Sequence, residues 1–330
     1  LTLEDWRSKN VVVFISDQER ATMHFPAGWE AKNMPATTAL KRHGLTFDRA
    51  FTASCMCSAA RATLFSGLMP AQHGVRFTLE ENMPEDIYSQ VELNLDIANL
   101  ATLMSDAGYD VVFKGKWHLS KASGNSSDPD DVKRGWVPED VNQYGWTRWN
   151  PADAGANQNL NQGAAGDCQD TTCNDLRFME QDGDAATGDE GALPYLTRVA
   201  SAKKPFFLVI SLVNPHDVLF YPGQWQAAGY EQSDFYGDVQ VPATYGESLA
   251  TKPAVQADFV NLMASGDGNK TADPKEYLNF YANLIASTDE YVADVMNALA
   301  RRGLIDNTVI IKTGDHGEMG MTHGGERTPA

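Results

Sequence analysis

The chain has 330 residues, 42% hydrophobic and 10% aromatic, a globular composition with room for one large α/β domain or two ordinary ones. A formal net charge of −18 argues against nucleic acid or an anionic membrane surface as partner, because phosphate backbones select for an excess of Lys and Arg. No apolar run reaches membrane-spanning length, and four cysteines are too few for a disulfide scaffold in a chain this size.

The N-terminal stretch "LTLEDWRSKN" is polar and amphipathic rather than a signal peptide; the expected location is secreted or periplasmic, with a targeting segment already removed. "NVVVFIS" over 10–16 is a continuous apolar, β-branched run, the pattern of a strand buried on both faces of a parallel sheet. "MPATTALKRHG" over 34–44 predicts a helix stopped by Gly, and "CSAARATLFSG" over 57–67 a second helical run. "LDIANLATLMSDAG" over 95–108 is helical in spacing and leads into a strand, "DVVFKGK", at 110–116. Residues 121–192 form a loop-rich excursion, dense in Gly, Asn, Asp and Gln and carrying Trp136, Trp146 and Trp149. Those tryptophans either pack on the base of the excursion or wall a substrate site. Cys168 and Cys173 lie within it at a spacing compatible with a local disulfide. "KPFFLVISLVN" (204–214) is a third strand. A long amphipathic helix, or two joined, covers 276–303, with Arg301 and Arg302 in its last turn, and "NTVIIKTGD" (307–315) is a fourth strand. Alternating strands and helices predict an open α/β sheet with helices on both faces.

In such sheets ligands bind at the carboxyl ends of the strands. Asp17-Gln18-Glu19-Arg20 follows the first strand, Lys114-Gly115-Lys116-Trp117-His118 the second, Asn214-Pro215-His216-Asp217 the third and Thr313-Gly314-Asp315-His316-Gly317-Glu318 the fourth. Any one such ending is ordinary; four predict one shared site. Asp17, Gln18, Asp315 and His316 offer three oxygen ligands and an imidazole, a set suited to one hard or borderline dication: Ca²⁺ foremost, Mg²⁺ or Mn²⁺ otherwise. Lys116, His118 and His216 are donors able to hold an anionic oxygen or protonate a leaving group. A site for an anionic tetrahedral group needs a nucleophile. Cys57 opens a helical run, where negative charge is favoured, with Arg61 one turn behind. Cys55 reads as a small buried neighbour.

These residues resemble the sulfatases of the alkaline phosphatase superfamily. That family's first signature, Cys-x-Pro-Ser-Arg followed by Leu/Phe-Thr/Ser-Gly, stands here as Cys57-Ser58-Ala59-Ala60-Arg61 and then Phe65-Ser66-Gly67. Its second stands as "GYDVVFKGKWHL", 108–119. The Pro215-His216 segment and "GLIDNTVIIKTGDHGEMG" resemble two further family segments, so the likeness spans nearly the whole chain outside 121–192. It implies an alkaline-phosphatase-like α/β sandwich, one catalytic domain over 1–330 with a largely parallel central sheet. It also implies a small C-terminal subdomain that this sequence does not contain. Cys57 would be oxidised by a separate formylglycine-generating enzyme to Cα-formylglycine, whose hydrate attacks the sulfur of a sulfate ester, a sulfated carbohydrate being a candidate. Asp17, Gln18, Asp315 and His316, with the modified Cys57, would hold the cation. Arg61 would fix the hydrate, Lys116 and His118 would contact nucleophile and sulfate, and His216 would serve the ester or leaving group. Ala59 and Ala60 replace the family's Pro and Ser. Gln18 and His316 replace the commoner Asp and Asn, a pairing shared with choline-sulfatase and phosphonate monoester hydrolase relatives that opens a phosphoester or phosphonate alternative. Where the family carries a late Lys, this chain offers Arg327 or His323. An unmodified Cys57 would instead make a catalytically silent binder of anionic esters.

Overall fold

The computed structural model describes residues 9–80, 90–124, 133, 135–154, 174–199, 204–265 and 273–326. Strands β1 (Asn10–Asp17), β2 (Asp110–Gly115), β3 (Phe206–Pro215) and β4 (Thr308–Gly314) form one sheet in the order β2-β3-β1-β4, every pair parallel. Each falls within two residues of its predicted run. Parity explains why the runs are apolar throughout. Val12, Phe14, Val112, Phe206, Leu208 and Ile210 enter the core on one face. Their sequence neighbours Val11, Val13, Ile15, Val111, Phe113, Phe207 and Val209 enter the core on the other. Successive side chains of a strand point to opposite faces, so a strand covered on both sides is apolar almost throughout, and a polar residue inside it, as Ser211 in β3, needs a buried partner, here Arg61.

The helices fill the two faces. We label α1 (Pro35–His43), α2 (Cys57–Ser66), α3 (Leu100–Asp106), α4 (Asn174–Glu180), α5 (Ala192–Val199) and α6 (Pro274–Arg301). The pattern at 276–303 resolves as one helix of 28 residues. It begins at Pro274, and the Asp273 carboxylate accepts from the Lys275 and Glu276 amides at 2.8 and 3.3 Å, satisfying two of the orphan donors of the first turn. Val292, Val295, Ala298 and Leu299 of α6 pack on one face of the sheet with α4 and α5. On the other face α2 buries Ala62 and Phe65. Gly67 ends α2 at φ +70°, its amide donating to Thr63 O at 2.8 Å. Ala59 and Ala60 are 0% and 3% exposed, so small side chains suit a helix start pressed into the interior.

The excursion tryptophans take the packing role. Trp136, Trp146 and Trp149 are buried in the core beneath α2; Trp146 stacks on Phe207, and Trp149 Nε1 donates to Gly115 O at 2.8 Å. A wall over a substrate site would have left a ring face accessible, and none of the three has one. Within the excursion, Arg177 of α4 donates to the carbonyls of Asn150, Pro151 and Ala152 at 2.7–2.8 Å, tying α4 to that turn. Glu190 docks the excursion on Lys114 of β2 and Arg198 of α5, and pairs with Arg148 inside it. Tyr221 also packs internally, against Phe235 and Tyr277. Cys168, Cys173 and Arg327 lie outside the described residues. Among the described residues no helix is long and apolar enough to cross a membrane.

Candidate active site

All four strands deliver their polar ends to one place. One ligand atom each from Asp17, Cys57, Asp315 and His316 lies within 4.8 Å of the others, and all four residues are buried. Cys57 Sγ is 3.1 Å from His316 Nε2 and 3.8 Å from Asp17 Oδ1. Gln18 joins the cluster through its backbone: at φ +67° its amide donates to Asp315 Oδ1 at 3.0 Å. Its side-chain Oε1 is buried with no hydrogen-bond partner, while Nε2 donates to Glu318. An orphaned buried amide oxygen on the residue that follows Asp17 and whose main chain holds Asp315 fits a hard or borderline dication better than any neutral ligand.

Arg61 crosses beneath this cluster with no exposed surface. Its Nη2 donates to Asp17 Oδ2 at 2.8 Å, and Nη1 to Ser211 Oγ and Lys116 O at 2.7 and 2.8 Å. Its Nε lies 3.0 Å from Asp315 Oδ2. Lys116 Nζ forms an ion pair with Asp17 at 2.5 Å. Burial pushes the Asp17 carboxyl up, but Lys116, then His216, Arg61 and His316, outweigh it and hold it well below the usual range. Burial works against the charge on Lys116 too, and Asp17 and Cys57 reverse it, so its pKa is raised. His316 likewise is raised, burial being overcome by Asp315, Cys57 and Asp17. His216 goes the other way: burial, then Lys116, bring it down to about 3, and it stays neutral.

Lys116 and His118 reach the site because the chain turns sharply after β2. Gly115 sits at φ +107°, where a Cβ would lie 1.8 Å from Ser211 O, so only glycine lets β2 lie this close to β3. Asp153 then accepts from the Trp117 and His118 amides at 2.8 and 2.6 Å, holding His118 at φ +60°. His118 Nε2 contacts Leu79 O at 2.7 Å. A carbonyl only accepts, so Nε2 carries the hydrogen and Nδ1, buried without a partner, presents its lone pair. Burial, then Lys116, keep this ring well below its ordinary pKa.

The structure thus brings together Asp17, Gln18, Cys57, Arg61, Lys116, His118, His216, Asp315 and His316 as buried residues around the strand ends. Cys55 is a correction: it is exposed, because the chain before α2 runs over the surface and only the helix start turns inward. His323 pairs with Glu247 in a partly exposed contact. Sequence reasoning missed Ser211, Asp153, Asp175, Tyr277 and Glu318. Asp175 accepts from the Val213 and Asn214 amides at 2.7 and 3.0 Å and so steadies the end of β3 ahead of His216. Burial pushes its carboxyl up to about 7 despite those bonds. Glu318 is the last polar residue of the run after β4, and Tyr277 and Tyr281, four apart on a long helix, share one face; those are the signals the sequence offers for them.

Residues 9–329 match the family model described as Sulfatase. An ulvan-active sulfatase of Formosa agariphila is 24% identical over 310 residues, 94% of this chain and 50% of that protein. Arylsulfatase K of Canis lupus familiaris is 28% identical over 327 residues, 95% and 54%. The chain therefore spans about half the length of the curated relatives it matches. Among solved structures, a putative sulfatase of Bacteroides fragilis superposes with a TM-score of 0.62 at 20% identity, covering 98% of this chain and 67% of that one.

Proposed function

The chain belongs to the sulfatase family, and from that premise we propose that it hydrolyses a sulfate monoester, with Cys57 as the precursor of the nucleophile. The observation that carries this reading is the placement of Cys57 Sγ at the first position of a helix, 3.1 Å from His316 and against Asp17, inside a cluster of buried charges. A thiol meant only to fill space has no need of such neighbours. Oxidation of Cys57 to Cα-formylglycine by a separate maturation enzyme supplies, as the aldehyde hydrate, an oxygen nucleophile. Asp17, Gln18, Asp315 and His316 would hold one dication, Ca²⁺ foremost, which when bound polarises the sulfate oxygens.

The rest follows from the chain's own residues. Arg61 and Lys116 balance the charges of Asp17 and Asp315, so the dication's charge is left over, and the loaded site favours an anion such as a sulfate ester. Arg61 holds both carboxylates in place. The His118 Nδ1 lone pair is suited to take a proton from the nucleophile's hydroxyl. Lys116 offers positive charge to a sulfate oxygen. Neutral His216 offers a ring N–H or lone pair to the ester side. A sulfated carbohydrate is the favoured substrate class, on the strength of the ulvan-active relative. A second reading, hydrolysis of a phosphodiester or phosphonate monoester, is favoured by the Gln18 and His316 pairing.

Parallel assays with nitrophenyl sulfate and a nitrophenyl phosphodiester, on protein purified from its native source and on Cys57→Ala, test the proposal. Dominant sulfatase turnover that Cys57→Ala abolishes is expected. Dominant phosphodiesterase turnover would install the second reading, and binding of sulfate esters without turnover of either would make the protein a silent binder.

A further inference from the structure

We infer that Glu318, braced by Tyr277 of α6, is a positioning residue that fixes which face of the Gln18 amide meets the cation. The inference rests on the reading of Gln18 as a cation ligand. A glutamine is an ambiguous ligand, since its amide presents an oxygen acceptor on one side and an NH₂ donor on the other. Turned the wrong way it would point N–H groups at a dication. A carboxylate in the same place needs no such control, so a chain with Gln at this position needs something to set the amide.

Glu318 is built for that task. It is 2% exposed and lies beyond the cluster, where Gln18 Nε2 donates to its Oε2 at 2.5 Å. With Nε2 committed there, Oε1 turns away from Glu318, and it is this oxygen that is buried without a partner. Glu318 is itself held: its Oε1 accepts from Tyr277 Oη at 2.8 Å and from the Gly320 amide at 3.1 Å. One turn further along α6, Tyr281 Oη donates to Gln18 O at 2.6 Å and accepts from the Arg20 amide at 3.0 Å, pinning the main chain of the same residue. Both ends of Gln18 are therefore referred to one rigid helix. Glu318 is not among the residues whose ligand atoms cluster, and Tyr277 stands behind it, so their action passes through Gln18.

Outer partners that orient a ligand change metal affinity about 10–100-fold when lost. Ca²⁺ and Mn²⁺, each titrated alone by calorimetry into ion-stripped protein, give the readout. Glu318→Gln and Tyr277→Phe should both weaken binding, Glu318→Gln by about tenfold or more and Tyr277→Phe by less. In a Gln18→Asp background, where no amide remains to be set, Glu318→Gln should leave affinity unchanged or raise it by removing a like charge. Glu318→Gln weakening binding equally in both backgrounds would overturn the inference, because a merely structural Glu318 behaves that way. So would unchanged affinity in the natural background while Gln18→Ala still weakens it. If Gln18→Ala itself leaves affinity intact, the reading of Gln18 as a ligand fails instead, and the inference falls with it.

Discussion

Replacing Arg61 with Met keeps a long unbranched stem and removes the charge from the centre of the site. The guanidinium faces Asp17 at 2.8 Å and Asp315 at 3.0 Å, and all three side chains are fully buried. Breaking a buried ion pair by deleting one partner costs about 3–5 kcal/mol, because the surviving charge is left without compensation. Two carboxylates lose a partner here, along with the bonds to Ser211 Oγ and Lys116 O, which puts the ion-free loss toward about 5 kcal/mol. A dication neutralises the same two carboxylates. The variant should therefore bind Ca²⁺ about tenfold more tightly, which returns about 1.4 kcal/mol of the loss at saturating ion. Urea denaturation of both proteins, with chelator and with excess Ca²⁺, measures both quantities. A loss under about 1 kcal/mol in chelator, or one that Ca²⁺ does not change, would refute the picture of guanidinium and cation sharing one pair of carboxylates.

Phe65→Ala should cost about 3–5 kcal/mol with an unchanged denaturant slope, because the ring is buried and meets Phe113, Trp117 and Trp146 at 5.3–5.8 Å; a drop below about 1 kcal/mol would mean the aromatic cluster does not anchor α2. Burial, only partly offset by Glu190, brings Lys114 from its ordinary 10.5 down to about 7. Between these values the unfolded chain holds a proton that the folded protein has released, so stability should rise with pH across that window, by up to about 5 kcal/mol. Lys114→Met should remove that rise while Glu190 keeps Arg148 and Arg198; parallel pH profiles of the two proteins would contradict the assignment.

The strands were legible because a strand covered on both faces is apolar at nearly every position, and β1 and β3 are long examples, with Ser211 the one polar residue inside β3 before its end. The site was legible for the complementary reason: polar residues concentrate at the ends of such strands, and all four ends carry them, whereas Ser211, buried inside β3 and bonded to Arg61, gave no such signal. Gly115 and the second signature were visible as sequence, though the reason for that glycine, the Ser211 carbonyl, lies nearly a hundred residues away. The tryptophans were undecidable, since a composition rich in Gly, Asn and Asp says loop but not whether its aromatics face in or out. Cys55 misled because a position two residues from a buried thiol need not share its environment when a helix starts between them. The bracing of Gln18 by Glu318, Tyr277 and Tyr281 spans 260 to 300 positions. No local pattern carries a contact of that range.

Whether residue 57 is a nucleophile precursor is decided by mass spectrometry of the tryptic peptide Ala50–Arg61, taken from protein purified from its native source. It contains both Cys55 and Cys57 and reads them apart. Exposed Cys55 should alkylate as an ordinary thiol while residue 57 appears as the lighter aldehyde or its hydrate. Alkylation of both as free thiols would contradict that precursor role, and would make the buried cluster a binding site without a nucleophile.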